Sequence, residues 1–136
     1  MSTPAMQKPL PKPTPVTQPF WDGTRAHRIV MPVDHEGNLY WYPRVLDPGT
    51  LREPSGWREV AGTGTVYSFT IDRRGSAPAF AAEVPYVIAI VELDAGPRMT
   101  SNIIGCSVDE VRVGMRVVAV FEDVNDEITL VKFRPE

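Results

Sequence analysis

Six of the chain's 14 prolines fall in its first nineteen positions (Pro4, Pro9, Pro11, Pro13, Pro15, Pro19), and the other eight are scattered through the remainder. Proline lacks the amide proton that a helix interior needs, so this density disfavours a bundle of long helices. Short strands joined by turns are favoured instead. The leading stretch alternates Pro with Lys, Thr and Gln, which reads as a flexible, polyproline-like arm over residues 1–19. Its composition suits a solvated tail, a PxxP-type ligand or a strap laid over a partner. What remains of the 136 residues is enough for one ordinary domain with a real core.

Several classes are set aside by composition. The single cysteine, Cys106, permits neither an internal disulfide framework nor a thiolate-only metal cage. No apolar run reaches the roughly 18–20 residues of a membrane span, and no secretory leader is visible, so a cytoplasmic location is expected. The formal charge is −3, but without the arm 12 basic residues face 17 acidic ones. Such a surface is a poor match for a polyanion such as DNA or RNA.

After Pro19 the composition changes. Phe20 and Trp21 are large apolar side chains leading a polar stretch, Asp22 to Arg28, that has room for two helical turns. Ile29 to Val33 and Leu39 to Tyr42 read as two strands joined by the turn His35-Glu36-Gly37-Asn38. Pro43 to Gly56 reads as loop. The second half is more regular: Thr65 to Ile71, Tyr86 to Leu93, Arg98 to Ile104, Arg116 to Phe121 and Ile128 to Phe133 all have strand character. In the first of these, alternation places Tyr67, Phe69 and Ile71 on one face and Val66, Ser68 and Thr70 on the other. Ser107-Val108-Asp109-Glu110 has the form of a capping box and opens one short helix ended by Gly114. Five strands with a helix between the third and fourth is the layout of an OB-fold, a small Greek-key barrel.

Candidate chemistry is sparse. Cys106 precedes the capped helix, where a helix N-terminus lowers a thiol's pKa, yet a small buried Cys explains it as well. His27, Asp34, His35 and Glu36 cluster in sequence, but nothing downstream completes a metal site. The acidic pairs Glu122-Asp123 and Asp126-Glu127 suit a solvated hairpin turn. Asp72-Arg73-Arg74-Gly75-Ser76 opens the loop between the first two barrel strands, where OB-folds usually hold ligands. Two adjacent arginines there fit either phosphate recognition or a solvated strand end. Tyr67, Phe69 and Tyr86 fit the stacking platforms of a single-strand-binding OB module. That alternative is weakened by seven basic against eleven acidic residues from Gly64 to Glu136.

A set of landmarks resembles one family. They are Pro19-Phe20-Trp21-Asp22-Gly23, the knuckle Tyr42-Pro43-Arg44, the run Gly62-Thr63-Gly64-Thr65-Val66-Tyr67-Ser68-Phe69-Thr70, then Pro78-Ala79-Phe80, Pro85-Tyr86-Val87, Ser101-Asn102-Ile103-Ile104-Gly105-Cys106 and Val113-Gly114-Met115. The family is the zinc-ribbon/OB-fold group of thiolase-associated accessory proteins, long catalogued as a domain of unknown function. The resemblance covers about 20–136. It implies a non-catalytic subunit of a thiolase-superfamily acyl-CoA enzyme, of thiolase or steroid side-chain retro-aldolase type, that shapes the partner interface and the CoA entrance. Other members are fused or bound to hydratase domains. The family's two Cys-x-x-Cys pairs align with Val33, Glu36, Asp47 and Thr50, none of them Cys, so no zinc is expected. Leu39, Tyr40, Trp41, Tyr42 and Trp57 are the candidates to replace the metal as an aromatic cluster.

The expected fold is mainly β: a flexible arm (1–19), an N-terminal helix with a metal-free, degenerate ribbon-like module (20–60), and a five-stranded OB barrel with one short helix (61–136). No catalytic residue and no tightly bound cofactor are expected. A CoA thioester held in the complex would meet Arg73, Arg74, Phe80, Tyr86 and Arg98. Phe20, Trp21, Phe80, Pro85 and Tyr86 would face a thiolase-like partner.

Overall fold

A computed structural model describes residues 7–75 and 77–136. Pro4, in the arm, and Ser76, beside the paired arginines, lie outside the described residues. Residues 7–17 carry no helix or strand. Pro19 stands in the first turn of α1 (Gln18–Arg25), where its missing amide proton costs nothing. β1 (Ile29–Val33) pairs antiparallel with β2 (Gly56–Val60), making a two-stranded sheet. β3 (Thr63–Asp72), β4 (Tyr86–Leu93), β5 (Arg98–Ile103), β6 (Arg116–Asp123) and β7 (Thr129–Pro135) close a barrel in the order β3-β4-β5-β7-β6. β5 and β7 meet in parallel at Ile103 and Phe133, the one parallel step of the Greek key among the described residues. The five barrel strands and their order of appearance are those expected.

Three local details differ from the expectation. Leu39 to Tyr42 is not a strand: Leu39 makes a single bridge to Val33, and β1 takes its partner from residues 56–60. The chain leaves β1 there because Trp41 turns to Phe20, ring centroids 4.7 Å apart, while the Tyr42 hydroxyl accepts a bond from the Thr100 amide. Second, the register of β3 shifts between Val66 and Ser68. A bulge there breaks the alternation, so Tyr67 (48% exposed) and Ser68 both face outward between buried Val66 and half-buried Phe69. Third, the helix after Ser107 is a single 3-10 turn, Val108–Glu110, whose amide at Asp109 donates to the Ser107 hydroxyl. It stops early because Val111 enters the core and Gly114, at φ +90°, bonds through its amide to the Val66 carbonyl.

Val87, Ala89, Val91 and Leu93 line the inner face of β4 and meet Val66, Met99, Ile103, Val117 and Phe133 in the core. The same cluster extends through Val60, Ile29 and Met31 to Phe20. One continuous core therefore joins the ribbon-like module to the barrel. His27 adds a second tie: its Nε2 lies 3.0 Å from Asp123 and its ring stacks on Phe121. No helix among the described residues is long and apolar enough to cross a membrane.

Candidate functional site

The two knuckles of the ribbon-like module hold their backbone amides on carboxylates. Asp34 Oδ1 accepts from the amides of Glu36 (2.8 Å) and Asn38 (2.9 Å). Asp47 accepts from the amides of Gly49 and Thr50 and from the Thr50 hydroxyl at 2.7 Å. Both aspartates are at most 9% exposed. The Thr50 hydroxyl, then the Gly49 amide, lower the Asp47 pKa from its ordinary value. The residues present do not fit a tetrahedral zinc. Val33 offers no donor, Thr50 donates its proton to Asp47, and both Asp47 oxygens already receive knuckle bonds. Among the described residues no group of three or more His, Cys, Asp or Glu is gathered for a metal. Tyr40, its pKa raised by burial and then by Asp47 and Asp34, keeps a neutral hydroxyl in this module.

The Asp47 cap predicts an acid-dependent stability. A lowered Asp pKa stabilises the fold above the unfolded value near 3.8 and ceases to do so as pH falls through the folded value. Asp47→Ala should lower the melting temperature by several degrees at pH 7, and the gap to wild type should narrow as pH falls below the unfolded value near 3.8 in parallel melts. A gap that persists in acid would contradict the capping role.

On the adjoining face, α1 and the segment 41–43 form one wall of a groove, and β5 and β7 form the other. This part has a volume of about 360 Å³ and is lined by Phe20, Trp21, Trp41, Tyr42, Met99 and Val131, among others. It meets a second hollow of about 560 Å³ along a shared wall of Asn102, Leu130 and Lys132. Phe80, Pro85, Tyr86, Ile104 and Cys106 line that second half, with Lys8 to Pro11 across it. Asn102 is held by a bond from its amide nitrogen to the Val87 carbonyl, and Lys132 pairs with Glu122 at 2.6 Å. The groove is thus apolar along its walls with ammonium groups at its middle and far end.

The expected site residues do not all converge here. Phe20 is 7% exposed and packs on Trp21 and Trp41, so its surface is taken up inside the chain. Trp21 keeps part of its surface on the groove. Phe80, Pro85 and Tyr86 stand together, with the Tyr86 hydroxyl donating to Asp72. The amides of Arg74 and Gly75 also donate to Asp72, which fixes the start of the arginine loop, and Arg73 approaches Asp109 at 4.0 Å. Arg98 is elsewhere. It pairs with Glu92, six residues along β4 from Tyr86 and so about 20 Å away, and lies 3.7 Å over the Tyr67 ring. Tyr42, Asn102, Leu130 and Lys132 were not expected in a site. Their placement follows from the return of residues 41–43 to the barrel and from the parallel β5–β7 contact, which no local pattern encodes.

Cys106 borders the groove, but burial and then Glu110 raise its thiol pKa, the reverse of an activated nucleophile. His27 is bound to Asp123, Glu122 to Lys132 and Asp34 to its own knuckle, so these candidates serve local structure.

A closed Greek-key barrel with a docked two-stranded module defines an OB-fold domain. The model of the ChsH2 C-terminal OB-fold domain matches residues 57–122. The chain is 33% identical to a DUF35 domain-containing scaffold protein of Methanothermobacter thermautotrophicus, over 67% of this chain and 68% of that one. It belongs to the DUF35 family. It is also 41% identical, over 76% of its length, to a protein of Thermomonospora curvata named "Probable enoyl-CoA hydratase alpha subunit", of which it spans 39%. A solved chain titled "Ltp2-ChsH2(DUF35) aldolase" superposes with a TM-score of 0.81 at 31% identity, over 93% of this chain and 98% of that one.

Proposed function

We propose that the chain is a non-catalytic accessory subunit of a hetero-oligomeric acyl-CoA enzyme of thiolase-like, retro-aldolase or hydratase type. The observation that carries this reading is its likeness to the aldolase chain over nearly that chain's whole length. The hydratase subunit from Thermomonospora supports the same substrate class. The site chemistry agrees: the groove offers shape, aromatic surface and two ammonium groups, while Cys106 is not activated. Arg73, Arg74, Phe80 and Tyr86, at one end of the barrel, are the proposed contacts to a CoA thioester. Trp21, Pro85 and Tyr86 are the proposed contacts to the enzyme. The ribbon-like module is proposed to be metal-free, with Asp34 and Asp47 holding the knuckles that cysteine thiolates would otherwise hold.

Co-expression with a thiolase-like or hydratase partner from the same genome tests the reading. A co-purifying complex whose turnover is lost when this chain is omitted is the expected result. A partner fully active alone, with this chain unbound at micromolar concentrations, would overturn it. Metal analysis of the purified chain should find no stoichiometric zinc, and one zinc per chain would refute the metal-free module.

A further inference from the structure

One rim of the second half of the groove is the chain's own arm. Lys8 Nζ pairs with Glu83 Oε1 at 2.7 Å and lies 5.8 Å from the centre of the Phe80 ring. Pro9, Leu10 and Pro11 continue along the rim of the same hollow that Pro85, Tyr86 and Ile103 line, with Pro9 and Leu10 exposed. Prolines at alternate positions pre-set an extended backbone, so laying this segment down costs less chain entropy than ordering a glycine-rich tail. The fastening elements shown are an acid and a π face for the arm's cation, in a hollow that Phe80 and Tyr86 also line. The remaining link to α1, residues 12–17, is short enough to hold the segment at roughly millimolar effective concentration.

We infer that this groove is a peptide-binding surface whose ligand is the chain's own Lys8-Pro9-Leu10-Pro11 segment, closing half of the face until the arm lifts away. The Lys8–Glu83 pair is the fastening. Both side chains are partly exposed, 33% and 45%, so the pair biases the closed state modestly and answers to salt. Anything that uses the Pro85–Tyr86 end of the groove competes with the arm. The inference concerns the isolated chain and stands whichever enzyme the chain serves.

Cys106 supplies an internal reporter, because the sole thiol of the sequence lies in the wall of this groove. Its rate of reaction with a small aromatic disulfide reagent is measured in the full chain, in Lys8→Glu, in Glu83→Lys and in the double exchange. Each single reversal should speed labelling by about two- to fivefold, the range an exposed ion pair commands. The double exchange should return the rate close to wild type, and salt should accelerate wild type but not the single variants. Thermal melts confirm that the variants, altered only at surface positions, are folded. Equal rates in all four proteins, or no recovery in the double exchange, would overturn the inference. A wild-type rate that falls with rising protein concentration would also overturn it, since the arm would then come from a second copy.

Discussion

Phe20→Ala should destabilise the isolated chain by about 3 kcal/mol, the typical cost of truncating a buried phenylalanine to alanine, with no partner present. Phe20 is 7% exposed, belongs to the continuous core, and touches both Trp21 and Trp41. Its removal opens a void where α1 meets the segment 41–43, and the aromatic half of the groove loses one wall. Trp21→Ala should behave differently. Trp21 is only partly buried and presents the rest of its indole to the groove, so the melting temperature should change much less while affinity for the enzyme partner falls at least tenfold, as interface tryptophans commonly cause. Chemical denaturation of both variants, followed by titration with the partner, separates the roles. Equal stabilities for the two variants would contradict the distinction, and so would unchanged affinity in Trp21→Ala.

Gly64→Ala is expected to cost about 2–3 kcal/mol, at the upper end for overpacking, and to lower the melting temperature by roughly 10 °C. Gly64 sits where the barrel closes, paired with Leu93 on β4 and Val117 on β6. A Cβ built there meets the Glu92 carbonyl oxygen at 2.5 Å and a Val91 methyl at 3.0 Å. The first contact is backbone in a strand bonded on both sides, so it cannot swing away as a flexible side chain would. Gly96 is the internal control: at φ +117° its cost is conformational, and no heavy atom lies within 4 Å of an added Cβ. A Gly64→Ala protein as stable as wild type would mean that the strands part easily at the closure. Packing explains the glycines of the Gly62-Thr63-Gly64 run, since an added Cβ at Gly62 meets Ala119 at 2.8 Å as well.

The barrel was legible because its signals are local. Tyr86 to Leu93 is a nearly continuous β-branched run, and Gly96 and Gly114 mark turns that need positive φ. The alternation failed at Tyr67 because one extra residue in a bulge exchanges the two faces, and a bulge leaves no mark in a period-two pattern. The strand expected at 39–42 failed for a different reason. Leu39, Tyr40 and Trp41 have full strand propensity, but packing of Trp41 on Phe20 outweighs a second ladder with β1. Arg73, Arg74 and Arg98 looked equivalent as cations, yet two of them stand at one end of β4 and the third about 20 Å off beside Glu92.

By itself the sequence determined the five barrel strands, their order along the chain, and the absence of four thiolates in the ribbon-like module. These depend on residue type and short-range spacing, which steric and hydrophobic periodicity read directly. Only the tertiary structure decided that β1 pairs with residues 56–60, that Asp34 and Asp47 bind their own knuckles, and that the arm lies against Phe80 and Glu83. It also decided the groove, whose walls come from α1, residues 41–43, β5 and β7. The knuckle bonds span only two to four residues and depend on local backbone geometry; the others join segments far apart in the chain, and their free energy comes from contacts that exist only once those segments have packed together.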